Sequence, residues 1–131
     1  MKAYTDIVQS KKLAEILPPE SADMCYIKHS TSNDNTWKYE CMPPMVLCNV
    51  PLNEITAEHL PCWSLAALIN TLPISIKFKD DEYYLRFMKE YVEYANDEIS
   101  LTGRCLHTTG NDNLVDACFE MILKLKEKNL L

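Results

Sequence analysis

Thiols and imidazoles are the residues of this chain with chemical potential, and they fall near one another in three places. Cys62 follows His59 by three positions. A thiol becomes a nucleophile when a neighbouring base or a helix N-terminus stabilises its thiolate. A helix beginning at Pro61 would put Cys62 in its first turn with His59 beside it, which makes this the best enzymatic candidate. Leu60 and Trp63 flank the pair with apolar bulk, which opposes ionisation. The competing reading is a small core residue at a helix start. Cys105 and His107 form the second pair. On a strand they would share a face and could hold zinc if Cys41 or Cys48 came near. Cys25 with His29 is the third. Zinc sites normally carry closely spaced cysteine pairs in duplicate, and no Cys-x-x-Cys occurs here. The expectation is a buried thiol beside a surface imidazole, with no metal and no cofactor.

Carboxylates and aromatics complete the inventory. Asp80, Asp81 and Glu82 are consecutive, and Glu90, Glu93, Asp97 and Glu98 follow. Paired acids can serve glycosidic or metal-assisted chemistry, but a run of acids in a turn is usually solvated. Tyr83, Tyr84, Phe87, Tyr91 and Tyr94 are dense in a short span. If the strand continues through Lys89, then Tyr83, Leu85, Phe87 and Tyr91 share one face. Such a face among acids suits a protein partner, because tyrosine is enriched at interfaces. The alternative is sheet core on one side and ordinary exposed tyrosines on the other.

The elements that must position these residues follow from periodicity. A first helix is predicted over 6–17, with Thr5 or Asp6 as cap and Gln9 completing a capping box, stopped by Pro18-Pro19. Residues 23–30 read as a strand, 31–35 as a polar loop, and Trp37, Tyr39 and Cys41 as a returning strand, together a hairpin. Residues 45–50 are a short apolar run, either a buried strand or a connector. A second helix, apolar nearly all round and therefore buried, is predicted over 61–72, between Pro61 and Pro73. Ile74, Ile76 and Phe78 alternate with polar residues as a strand, Asp80-Asp81-Glu82 turn, and 83–88 return. Residues 89–97 read as strand rather than short helix, and 99–108 as a last strand. Asn113 caps a third helix, on which Val115, Cys118, Ile122 and Leu125 form one apolar stripe. The sum is an α+β fold: an antiparallel sheet of about four or five strands with N-terminal, central buried and C-terminal helices.

Composition narrows the function classes. A chain of 131 residues, 47% hydrophobic and 24% charged, is expected to be one domain, residues 1–131. Its net charge of −6 and its two arginines, Arg86 and Arg104, argue against a nucleic-acid partner and weaken anionic substrates. Gly103 and Gly110 are the only glycines. Phosphate-cradling loops, dinucleotide fingerprints and nucleophile elbows need several closely placed glycines, so none can be built here. Six cysteines without a signal-like apolar N-terminus predict reduced thiols and a cytoplasmic location. No segment is long and apolar enough to predict a membrane span.

Three blocks carry a resemblance. They are Tyr4-Thr5-Asp6 with the Gln9–Pro18 and Glu20–Met24 stretches, Leu60-Pro61-Cys62-Trp63-Ser64-Leu65-Ala66-Ala67-Leu68, and the run from Asn113 to Leu125 containing Val115-Asp116-Ala117-Cys118-Phe119-Glu120-Met121-Ile122. In this order they resemble a group of small phage-related or mobile-element proteins of gut Bacteroidales, covering about half the chain. Members of that group often have proline after the capping asparagine, where this chain has Leu114. The group supplies a context and no activity. The expectation is a small non-enzymatic protein-binding accessory domain of a prophage or mobile element. The alternatives are a cysteine-dependent enzyme using Cys62 with His59, and a homo-oligomeric scaffold pairing through its strand edges.

Overall fold

The computed structural model describes residues 2–28, 39–42, 59–89, 91–96, 104–110 and 113–131, and for 27, 28, 39–42 and 104–110 the description is of the backbone. The chain is α+β and forms two compact units, Tyr4–Ala67 and Met1–Ala3 with Leu68–Leu131. The expected strands are antiparallel, but among the described residues they divide between two sheets, one of three strands and one of four, where a single sheet was anticipated.

In the Tyr4–Ala67 unit, helix α1 spans Ile7–Ala14. The capping box is formed: the Gln9 N–H donates to Asp6 Oδ1 at 2.8 Å, and the Asp6 N–H donates to Gln9 Oε1 at 3.1 Å. The chain tightens after Ala14, where the Leu17 N–H still reaches Leu13 O at 2.7 Å. A 3₁₀ turn, Pro19–Ser21, follows. Strand β1, Met24–Lys28, is the centre of the first sheet, with β2, Tyr39–Met42, on one side and β3, His59–Cys62, on the other. The predicted hairpin is the β1–β2 pair, in which Cys25 stands opposite Met42 and Lys28 opposite Tyr39.

Strand β3 overturns the expected start of the second helix. Met24 pairs with Cys62, Cys25 with Pro61 and Ile27 with His59, so Pro61 and Cys62 are extended rather than helical. Proline suits an edge strand, and β3 pairs on one side alone among the described residues. Helix α2 spans Leu65–Thr71. Ser64 starts it: its Oγ accepts from the Ala67 N–H at 3.2 Å and donates to Asp23 Oδ2. The helix is not apolar-buried all round. Ala67, Leu68 and Leu72 are buried while Ala66 and Asn70 are exposed.

In the other unit, β4 (Ser75–Phe78), β5 (Asp81–Phe87), β6 (Tyr91–Asn96) and β7 (Arg104–Gly110) form a meander in chain order. The β4–β5 turn is Lys79-Asp80, not Asp80–Glu82, because Phe78 pairs with Asp81. Both turn residues have positive φ, 50° and 69°, the type I′ hairpin geometry. Helix α3, Leu114–Glu127, packs on β6 and β7. Asn113 caps it, accepting from the Asp116 N–H at 2.9 Å. Asn129, in the left-handed region, ends it with a Schellman motif in which the Leu130 N–H donates to Leu125 O at 2.8 Å. The predicted stripe of Val115, Cys118, Ile122 and Leu125 is buried, with Ala117 and Met121 beside it. Val92, Tyr94 and Ile76 are buried on the sheet. Lys2 Nζ reaches Asp116 Oδ1 at 2.6 Å, tying the start of the chain to the first turn of α3.

Candidate functional site

Cys62 ends strand β3, ahead of helix α2 rather than in its first turn, and is fully buried. Its Sγ donates to the Thr5 carbonyl at 3.5 Å and lies 3.7 Å from Thr5 Oγ1. Thr5 is the organiser of this region. Its Oγ1 accepts from the Trp63 N–H at 3.1 Å and lies 2.8 Å from Ser10 Oγ, and its carbonyl also accepts from Tyr26 Oη at 2.6 Å. Trp63 is fully buried and its indole N–H donates to Ser21 Oγ at 2.9 Å. These bonds satisfy buried polar groups and leave no room for a substrate at Cys62.

His59 does not join Cys62. Residues three apart on a strand point to opposite faces, so His59 and Pro61 share one side of β3 while Cys62 turns to Thr5 on the other. The helical spacing that would have stacked the two side chains is absent because the segment is extended. Cys25, opposite Pro61, is also buried, and burial first and then the Cys62 thiol push its own thiol pKa up. The arrangement is that of core thiols rather than an activated nucleophile.

No group of three or more His, Cys, Asp or Glu that could hold a metal occurs among the described residues. The backbone of Cys105 and His107 lies in β7, where a register shift falls between the pairs Tyr94–His107 and Ala95–Cys105. Their side chains, that of Cys41, and His29, Cys48, Glu90, Asp97 and Glu98 lie outside the described residues.

The acidic turn is engaged in the sheet. Glu82 accepts from Ser75 Oγ at 2.9 Å and from Tyr84 Oη at 3.2 Å. By register Lys77 stands opposite Glu82, and Arg86 opposite Glu93, two cross-strand pairs of opposite charge.

The aromatic cluster is split by the sheet. Tyr83 and Tyr94 are buried, and Tyr94 Oη donates to the Pro73 carbonyl at 2.7 Å. Burial, and then the nearby Cys118 thiol, push the Tyr94 phenol above its usual range. Tyr84 is 50% exposed and Phe87 37%. Tyr91 does not share a face with Tyr83, Leu85 and Phe87 as anticipated. The strand does not run on through Lys89. It turns, Phe87 pairs with Val92, and Tyr91 falls on the opposite face with Glu93. Two further apolar residues were missed by sequence reasoning: Ile74, 83% exposed, and Met88, 46% exposed. Ile74 O accepts from the Leu85 N–H at 2.9 Å, and Tyr91 O from the Met88 N–H at 2.9 Å, so both lie at the end of the sheet that carries Phe87. Only the pairing of strands brings Ile74 beside Leu85, and no local pattern announces it.

Comparison of the chain with protein-family models, with curated proteins and with solved structures finds no match. The class that stands is the architectural one: an α+β protein with two antiparallel sheets among the described residues. No helix among the described residues is long and apolar enough to cross a membrane.

Proposed function

We propose that this protein is a small non-enzymatic protein-binding accessory domain of a prophage or mobile element, and that it engages its partner through the Phe87 end of the four-stranded sheet. The observation that carries the reading is the clustering of exposed Ile74, Phe87 and Met88 at that end, with exposed Tyr84 farther along β5. Contiguous exposed apolar groups rimmed by polar ones mark protein-interaction surfaces. Aromatic and methionine side chains are enriched at the cores of protein interfaces. Tyr84, with Glu82 and Arg86, lies on the face of β5 opposite Phe87, so the apolar patch at that end is formed by Ile74, Phe87 and Met88. The mobile-element context rests on the three-block resemblance. The separation of His59 from Cys62 removes the chief support for a cysteine enzyme.

The test is affinity capture from a gut Bacteroidales lysate with the wild-type chain and with Phe87→Glu and Met88→Glu. A protein recovered in stoichiometric amount by the wild type and at least about tenfold depleted by either variant is the expected result. Identical recoveries from wild type and variants, or no specific protein from the wild type, would defeat the reading.

A further inference from the structure

Strand β4 is one edge of the four-stranded sheet among the described residues. The ladder fixes which of its backbone groups face outward. Ile74 O accepts from the Leu85 N–H at 2.9 Å, so Ile74 and Leu85 form a hydrogen-bonded pair. By alternation Ile76 and Phe78 also bond to β5, opposite Tyr83 and Asp81. The N–H and C=O groups of Ser75 and Lys77 then point away from β5, toward the open edge. The same alternation puts Ile74, Ile76 and Phe78 on one face. Ile76 is buried there, but Ile74 is 83% exposed. Outward backbone groups beside an exposed apolar side chain are a template for one more strand.

We propose that the added strand is β4 of a second copy of this chain, running antiparallel across a two-fold axis and joining the two four-stranded sheets into one. The outward groups of Ser75 and Lys77 can meet their counterparts in three registers. Centred on Lys77, the two Lys77 side chains stand directly opposite, which is destabilising. Centred on Ser75, Lys77 meets Pro73, which has no N–H to donate. Centred on Ile76, Ser75 meets Lys77 of the second copy on both sides of the axis, and neither fault arises. This register also sets exposed Ile74 opposite Phe78 of the second copy, an apolar cross-strand pair on the face that Ile76 occupies. Lysine on an edge strand commonly guards against such pairing. Here Lys77 already stands opposite Glu82 of its own sheet, which offsets its charge. Helix α3 packs on β6 and β7 and leaves the β4 edge clear. A two-fold pairing closes on itself, so the assembly stops at two copies. The pairing is independent of any partner at the Phe87 end.

The experiment weighs the whole protein by sedimentation equilibrium at concentrations up to about 1 mM, because a strand of four residues buries less area than a tight dimer needs. A monomer–dimer equilibrium is the expected result. In a mixture of isotope-labelled and unlabelled chains, the Hα atoms of the two Ile76 residues should show an intermolecular contact, since a non-hydrogen-bonded pair brings its Cα atoms to about 4.5 Å. Lys77→Pro removes an outward N–H and spares the bonds to β5, so it should weaken the dimer at least about tenfold. Phe87→Glu should leave the dimer unchanged. A monomer throughout the range, a dimer without the Ile76 contact, or a dimer weakened by Phe87→Glu and not by Lys77→Pro would overturn the proposal. The mass and the Ile76 contact of the wild type decide the matter even where Lys77→Pro fails to fold.

Discussion

At the scale of single residues, burial decides the chemistry of this protein more than residue identity does. Cys118 is fully buried on α3, and burial pushes its thiol pKa up to about 12. Cys25 and Tyr94 move the same way. A raised acid pKa in the folded state means that the unfolded chain releases its proton first as pH rises. The stabilisation is therefore complete below the ordinary thiol value and is lost as pH climbs from there towards about 12. Denaturant midpoints measured from about pH 8 to pH 11 should fall steadily, and Cys118→Ala should flatten part of that slope. A midpoint independent of pH across the window would contradict the burial argument. Thr5 illustrates the same point from the polar side. Its local sequence marks it only as a candidate helix cap, yet it bonds to Ser10, Tyr26, Cys62 and Trp63 because the fold surrounds it with them.

At the scale of elements, the ends and turns carry the specific information. The capping box of α1 and the Asn113 cap of α3 use the residue types that satisfy orphaned N–H groups. The β4–β5 turn does not use the best residues available. A type I′ turn wants Asn or Gly where φ is positive, and this chain places Lys79 and Asp80 there. The combined substitution Lys79→Asn with Asp80→Gly should raise unfolding free energy by about 1–2 kcal/mol without disturbing the Phe78–Asp81 register. Urea denaturation reads this directly. A loss of stability would show that the two positions serve something other than the turn. Phe78 offers one such competing role for Lys79, whose Nζ lies 5.4 Å from the ring centroid, although Lys128 Nζ lies on the same ring at 5.5 Å.

At the scale of the whole molecule, the net charge of −6 sets how the protein meets polyelectrolytes. At neutral pH and low salt it should bind an anion exchanger and pass unretained through a heparin column. Retention on heparin would reveal a basic patch that the overall composition conceals. The sequence alone determined the α+β class, the capped ends of α1 and α3, the buried stripe on α3 and the alternation of β4. These depend on interactions between residues a few positions apart, which leave a period or a cap in the chain itself. Only the tertiary structure decided that Pro61 and Cys62 are extended. An apolar run beside a proline suits a helix or a strand equally, and the choice was made by pairing with Met24 and Cys25 far away in the chain. The same long-range pairing separated His59 from Cys62 and moved Tyr91 off the Phe87 face. It also gathered Ile74 and Met88 at the Phe87 end of one sheet. Strand register is a property of two segments at once, so neither segment read by itself contains it.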